Sequence, residues 1–266
     1  MNAAIFGVLA CLLYLGGAGT QLAGLRNRIS SQHLIVLGAG INAIIMHALF
    51  SYSRIVTNEG INMGILPMAS VISLAVAAIV VAGSMKRQVD SLVIAIFPIA
   101  AITIIATLVA DSSYTPRHQL GGGIVLHIIL SVLAYGLLSV AALQAILLSF
   151  GDYELKNRKR GLLKHIPPLQ TMESLLFELL WAGLILLTLS IISGFIFIGD
   201  TSNPGLIHHT SITLAAWIVF SILLWGRYQL GWRGATASRW TLTGFALLLL
   251  GYFGSKLVLE IILGRV

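Results

Sequence analysis

Eight long apolar stretches, joined by loops whose positive charges fall on every second one, constrain what this chain can fold into. A bilayer core of about 30 Å is crossed by a helix of roughly 20 apolar residues. Stretches of that kind run over 2–25, 33–53, 65–84, 91–110, 122–149, 174–198, 209–230 and 240–262. In lipid every backbone N–H and C=O must be satisfied inside the protein, so such stretches fold as helices. The expected fold is an all-α polytopic membrane protein with eight transmembrane helices.

Composition agrees. The chain is 58% hydrophobic and 9% charged, with a mean hydropathy of +0.96, far from the balance of a soluble domain. The loops are short, so 1–266 reads as one membrane domain.

The net charge of +7 would suggest nucleic acid in a soluble protein, but the positions argue for topology instead. Arg26 and Arg28 follow span one, and Lys86 and Arg87 follow span three. Lys156, Arg158, Lys159, Arg160 and Lys164 follow span five, and Arg227, Arg233 and Arg239 follow span seven. The loops after spans two, four and six hold only Arg54 and Arg117. Positive loops remain in the cytoplasm, which puts both termini outside, in a periplasm or its equivalent. Nucleic acid is not an expected partner. Membrane lipid is, and the basic stretch 156–164 suits anionic headgroups.

The single cysteine, Cys11, lies in span one. It excludes disulfides within the chain, a thiolate metal cluster and covalent haem attachment through C-x-x-C-H, and reads as a packing residue. The start of the chain is apolar without a basic leader region, so span one is expected to stay in the mature protein. Gly16, Gly17 and Gly19 suit close helix approach. Pro98 marks a kink in span four. Pro167 and Pro168 stop any helix crossing the longest internal loop, with Thr171 or Ser174 as a cap for span six. Glu178 is positioned to snorkel or pair with Arg239, and Lys256 with Glu260. Trp232 and Trp240 read as interfacial anchors, while Trp181, Trp217 and Trp225 read as packing residues.

The seven histidines are sorted by this topology. His33 and His165 fall on the inner side, and His47, His118, His127, His208 and His209 on the outer side. His47 lies fourteen residues beyond His33, a climb of about 21 Å. His127 lies just below the outer end of span five, and His208 and His209 open span seven. Three spans thus bring imidazoles to similar depth. Imidazole binds haem iron and transition metals, and intramembrane ionisable groups mark functional sites by default. Two histidines from separate helices can grip a haem from opposite faces. Arg54 and Arg117 are then candidates to pair with its propionates. Taken one at a time, His47 can instead bond a neighbouring helix, His118 be solvated, and His208 or His209 sit at the interface. No hydrolytic triad, phosphate loop or paired-carboxylate site is present.

The string LHIILSVLAYGLLSVAAL from Leu126 resembles the segment around an external haem-binding histidine in the cytochrome c assembly (CcsA-like) superfamily. IPPLQTMESLLFE at 166–178, HHTSITLAAW at 208–217, LWGRYQLGWRG at 224–234 and GFALLLLGYFGSKLVLE at 244–260 are similar to its small HemX/YpjD branch. The likeness covers nearly the whole chain in span count and size, and is most specific from residue 120 onward. That branch usually carries H-K-T before span seven, with tryptophan nine residues after the histidine. Counting back from Trp217 gives His208, with His209 in place of the lysine, so the doubled histidine leaves the assignment between them open. His47 matches a histidine of the branch's second span. Larger members carry a W-G-x-x-W-x-W-D segment and an external histidine before their last span, and this chain has neither. The resemblance therefore implies haem binding by His127 and His208 rather than haem attachment to apocytochrome.

Residues and resemblance together lead to noncovalent haem b near the outer face, serving haem handling or c-type cytochrome biogenesis, with no chemical reaction required. His127 and His208 are the expected iron ligands. His47 is a third or alternate ligand or a supporting residue, and His209, Arg54 and Arg117 are further haem-binding candidates. Expected partners are haem, lipid and other proteins of cytochrome biogenesis or tetrapyrrole synthesis. The alternatives are a regulatory or partner subunit of tetrapyrrole synthesis, docking through the basic 151–165 loop, and a cytochrome-b-like electron carrier. A metal-ion transporter using His47 with loop carboxylates is a weaker fit.

Overall fold

A computed structural model describes residues 3–27, 32–58, 60–85, 90–110, 120–157, 168–198 and 204–257, with 25–27 and 204–208 described at the backbone alone. The described residues are almost entirely helical. In order they form α1 (Ala3–Asn27), α2 (Gln32–Ile55), β1 (Val56–Thr57), β2 (Gly60–Ile61) and α3 (Ile65–Ser84). A 3-10 turn (Asp90–Leu92) leads into α4 (Val93–Val109). Then come α5 (Gly122–Lys156), α6 (Leu169–Phe197), α7 (Pro204–Gln229) and α8 (Gly234–Leu249), which continues as a π-helical stretch, Leu250–Gly254. Among the described residues, seven helices are long and apolar enough to cross a bilayer. The α-helical part of α8 has 16 residues, and the rest of the eighth expected span runs beyond residue 257, outside the described residues.

The contacts divide the chain into two compact units, Met1–Leu120 with Leu263–Val266, and Gly121–Ile262. In the first unit, α1 packs on α2 and α4, and α3 packs on α2 and α4. Phe97 of α4 is fully buried, and its ring fills the space that side chains at Gly17 and Gly40 would need. A Cβ at either glycine would lie 2.9 Å from the ring. Gly17 thus provides the expected close approach, whereas Gly16 and Gly19 have nothing within 4 Å of an added Cβ. Cys11 is buried and donates to the Ala101 carbonyl at 3.6 Å. Between α2 and α3 the polar loop closes as a two-residue hairpin with Val56 opposite Ile61. Gly60 adopts φ 125°, open to glycine at little cost.

In the second unit α5 and α6 form the most extensive pair, and α8 packs on both α5 and α7. Gly183 of α6 accepts Leu138 of α5, and Gly244 of α8 accepts the Phe220 ring of α7. Large apolar side chains also face outward in both units, among them Leu34, Ile102, Trp181 and Ile196. Such faces match a lipid surrounding.

Three sequence expectations change. Helix α5 reaches Lys156, seven residues past the expected end of span five. Helix α6 starts at Leu169 with Pro168 as its N-cap and no side-chain cap. Proline's fixed φ and missing N–H suit a helix start, and Ser174 instead bonds the Thr171 carbonyl within the helix. Glu178 is not the acidic partner near this end. Glu173 is, with Arg227 at 2.6 Å and Arg233 at 3.6 Å. Arg227 also lies 4.5 Å above the Phe177 ring and donates to the Trp232 carbonyl, while Trp232 stacks on Trp240 at 5.1 Å. Glu260 lies outside the described residues.

Candidate functional site

Apolar residues give α5 and α6 a shared seam, and the few hydroxyl side chains on it converge on one imidazole. His127 sits in the second turn of α5, with Ser131 one turn later. Ser190, Ser193 and Gly194 lie on the facing part of α6. The His127 Nδ1 is 2.8 Å from the Ser190 carbonyl oxygen and 3.2 Å from Ser193 Oγ. A carbonyl only accepts, so Nδ1 carries the proton and Nε2 carries the lone pair.

Ser131 Oγ, also near Nε2, has a closer acceptor, the His127 carbonyl at 2.8 Å. The Ser190 hydroxyl lies 2.7 Å from Ser131 Oγ, and either oxygen can donate. The Ser131–Nε2 separation is 3.5 Å, at the limit of hydrogen bonding. Gly194 completes the seat, since a Cβ there would lie 3.0 Å from His127 Cε1.

The head of α7 carries the adjacent histidines His208 and His209. The His209 ring meets the Tyr252 ring edge-on at 6.0 Å. Tyr252 belongs to the π-helical stretch after α8, a departure from α-geometry that often accompanies function. Tyr135 packs on Tyr252 at 5.9 Å and donates to the Leu248 carbonyl at 2.9 Å. Lys256 Nζ lies 5.6 Å from the Tyr252 ring centre. His209 and His127 belong to the same compact unit. Trp217 Nε1 donates to Thr188 Oγ1 at 2.9 Å, which fixes α7 against α6.

His208 lies on α7, and its side chain is outside the description. Arg117, His118 and His165 fall outside the described residues.

His47 belongs to the first unit and is fully buried. Its Nε2 lies 2.9 Å from Ser70 Oγ and its Nδ1 3.3 Å from the Tyr14 hydroxyl. Ser51 extends the chain to Ser70 at 3.3 Å. Both His47 nitrogens therefore have hydroxyl partners. Arg54, at the end of α2, donates to the Thr107 carbonyl at 2.9 Å, and its buried Nε has no partner among the described residues. No three His, Cys, Asp or Glu side chains among the described residues gather as a metal-ion site.

A histidine that would hold haem iron needs a lone pair on one nitrogen and benefits from a second nitrogen held by a carbonyl. His127 meets both conditions, so its surroundings fit haem. The sequence alone missed Ser131, Ser190, Ser193, Tyr135 and Tyr252. Hydroxyls one turn apart in an otherwise apolar span six were the available signal.

Comparison with known proteins agrees with this setting. Residues 39–263 match the family model described as cytochrome C assembly protein. The inner membrane protein YpjD of Escherichia coli (strain K12) is 28% identical over 260 residues, 97% of this chain and 99% of the relative. An uncharacterized 28.8 kDa protein in the nifR3-like 5' region of Azospirillum brasilense is 31% identical over 142 residues, 52% of each chain. Protein HemX of Brevibacillus brevis is 26% identical over 131 residues, 48% of each. No solved structure matches. With seven bilayer-length helices, the chain is a multi-pass protein of the bacterial inner membrane. The family match takes in most of the sequence, including His47, His127 and the histidine pair of α7, and the chain belongs to the cytochrome c assembly protein family.

Proposed function

We propose that this protein binds haem b noncovalently and serves haem handling in c-type cytochrome biogenesis. The observation that carries this reading is the bond from His127 Nδ1 to the Ser190 carbonyl, which leaves Nε2 as the basic nitrogen. The second base comes from the head of α7. His208 holds the position implied by the family resemblance, and His209 brings its ring to Tyr252.

Bound haem would supply an iron that His127 and one histidine of the α7 pair would hold. The protein orients His127 through Ser190 and Ser193 and leaves room for the ring at Gly194. The apolar seam excludes water. His47, with both nitrogens engaged, reads as a supporting residue rather than a ligand. The same reading takes 1–266 as one domain with eight spans and both termini outside, supported by the alternation of charged loops and by a family match that runs through both units.

The test is an absorption spectrum of the purified protein, oxidised and reduced. A Soret band with sharp reduced α and β bands is expected, lost in His127→Ala and in one of His208→Ala or His209→Ala. Protein purified without haem and unable to take it up would overturn the reading, as would an unchanged spectrum in His127→Ala.

A further inference from the structure

Two buried oxygens in the first unit lack hydrogen-bond partners among the described residues, and both border one cavity. Ser84 ends α3 and is 5% exposed, yet its Oγ bonds nothing. Asp90 opens the 3-10 turn before α4. Its Oδ2 lies 3.3 Å from His33 Nδ1, while its buried Oδ1 has no partner. The cavity measures about 10 Å³, with Gln21, His33, Ser84 and Asp90 as its polar lining and Val81 and Phe97 on its apolar side. That volume admits one guest the size of a water molecule. Its polar walls come from α1, α2, α3 and the turn ahead of α4.

The lining selects the guest. Buried oxygens left bare are costly, carboxylate oxygens above all. A carboxylate offers only lone pairs, and serine and glutamine can each turn an oxygen inward. His33 Nδ1 lies beside the other Asp90 oxygen, which leaves Oδ1 as the carboxylate oxygen without a partner among the described residues. Hard oxygen donors with one negative charge call for a small, hard, singly charged cation. A divalent ion would leave uncompensated charge beside Val81 and Phe97. Calcium also needs six to eight oxygens, and magnesium keeps several waters, more than this space accommodates.

We propose that this cavity is a sodium site, with Asp90 as the charged ligand, Ser84 and Gln21 as neutral oxygen ligands, and His33 orienting Asp90. Sodium there ties the four helices of the first unit together at the end opposite His47.

The test uses the full-length protein in detergent. Its melting temperature is followed against NaCl, with choline chloride holding ionic strength constant. A saturable, sodium-specific rise is expected. Asp90→Asn raises the half-saturating sodium concentration about tenfold or more, through loss of the charged ligand. Ser84→Ala raises it less. Melting in choline chloride alone reports whether each variant folds, and Ser84→Ala decides the matter where Asp90→Asn does not fold. Equal melting in the two salts, the result if the cavity holds only water, overturns the proposal. So does a full sodium response in either folded variant. Neither substitution touches His127, so the outcome is independent of the haem reading.

Discussion

His127 Nδ1 and the Ser190 carbonyl oxygen, 2.8 Å apart across the α5–α6 seam, fix which imidazole nitrogen is basic. A backbone carbonyl cannot be removed by substitution, so the seat is best perturbed from its sides.

Gly194→Ala places a methyl group 3.0 Å from His127 Cε1. The ring or α6 must shift, at about 1–3 kcal/mol. Haem affinity is expected to fall while helicity by circular dichroism is retained. A haem titration that overlays the parent protein would rule out this contact as a determinant of ligand position.

Ser193→Ala removes the hydroxyl 3.2 Å from His127 Nδ1 but leaves the Ser190 carbonyl bond. The variant should keep its Soret band and shift its redox midpoint modestly. Loss of haem altogether would mean that the hydroxyl, not the carbonyl, holds the ring.

His47→Ala leaves Ser70 and Tyr14 without their imidazole partner inside the first unit. A loss of about 1–3 kcal/mol per unsatisfied group is expected, visible as a lower melting temperature. The haem spectrum of the folded variant should remain that of a six-coordinate iron. Conversion to a five-coordinate spectrum would restore His47 as an iron ligand.

Glu173→Gln breaks the contacts with Arg227 and Arg233. Both Glu173 and Arg227 are largely sheltered, so a loss of about 1–3 kcal/mol is expected, partly masked by high salt in the parent. Glu178→Gln should be near neutral. The reverse order of the two variants in thermal melts would reinstate Glu178 as the partner.

Span positions were legible because lipid imposes a blunt requirement, length plus apolarity, which 65–84 and 91–110 meet almost to the residue. The outer-side grouping of histidines is an expectation from charge alternation and depth alone. What packs against each imidazole was not legible. His47 and His127 look alike in sequence, each an imidazole in an apolar helix, yet His47 is held by hydroxyls alone and His127 also by a backbone carbonyl. That difference depends on which helix faces lie together, Ser70 on α3 or Ser190 on α6, and helix adjacency leaves no periodic trace. Glu173 was passed over for Glu178 because the apolar run starts span six at residue 174, whereas Pro168 starts the helix a turn and a half earlier. The π-helical turn at Tyr252 has no sequence signature in an apolar run.

Helix α5 has one further consequence. From His127 to Lys156 it runs unbroken, about 43 Å at the helical rise, more than the depth of a hydrocarbon slab. The imidazole and the start of the basic segment therefore ride on a single shaft. Torque or thrust delivered at the lysine end reaches the ring seat without crossing a joint.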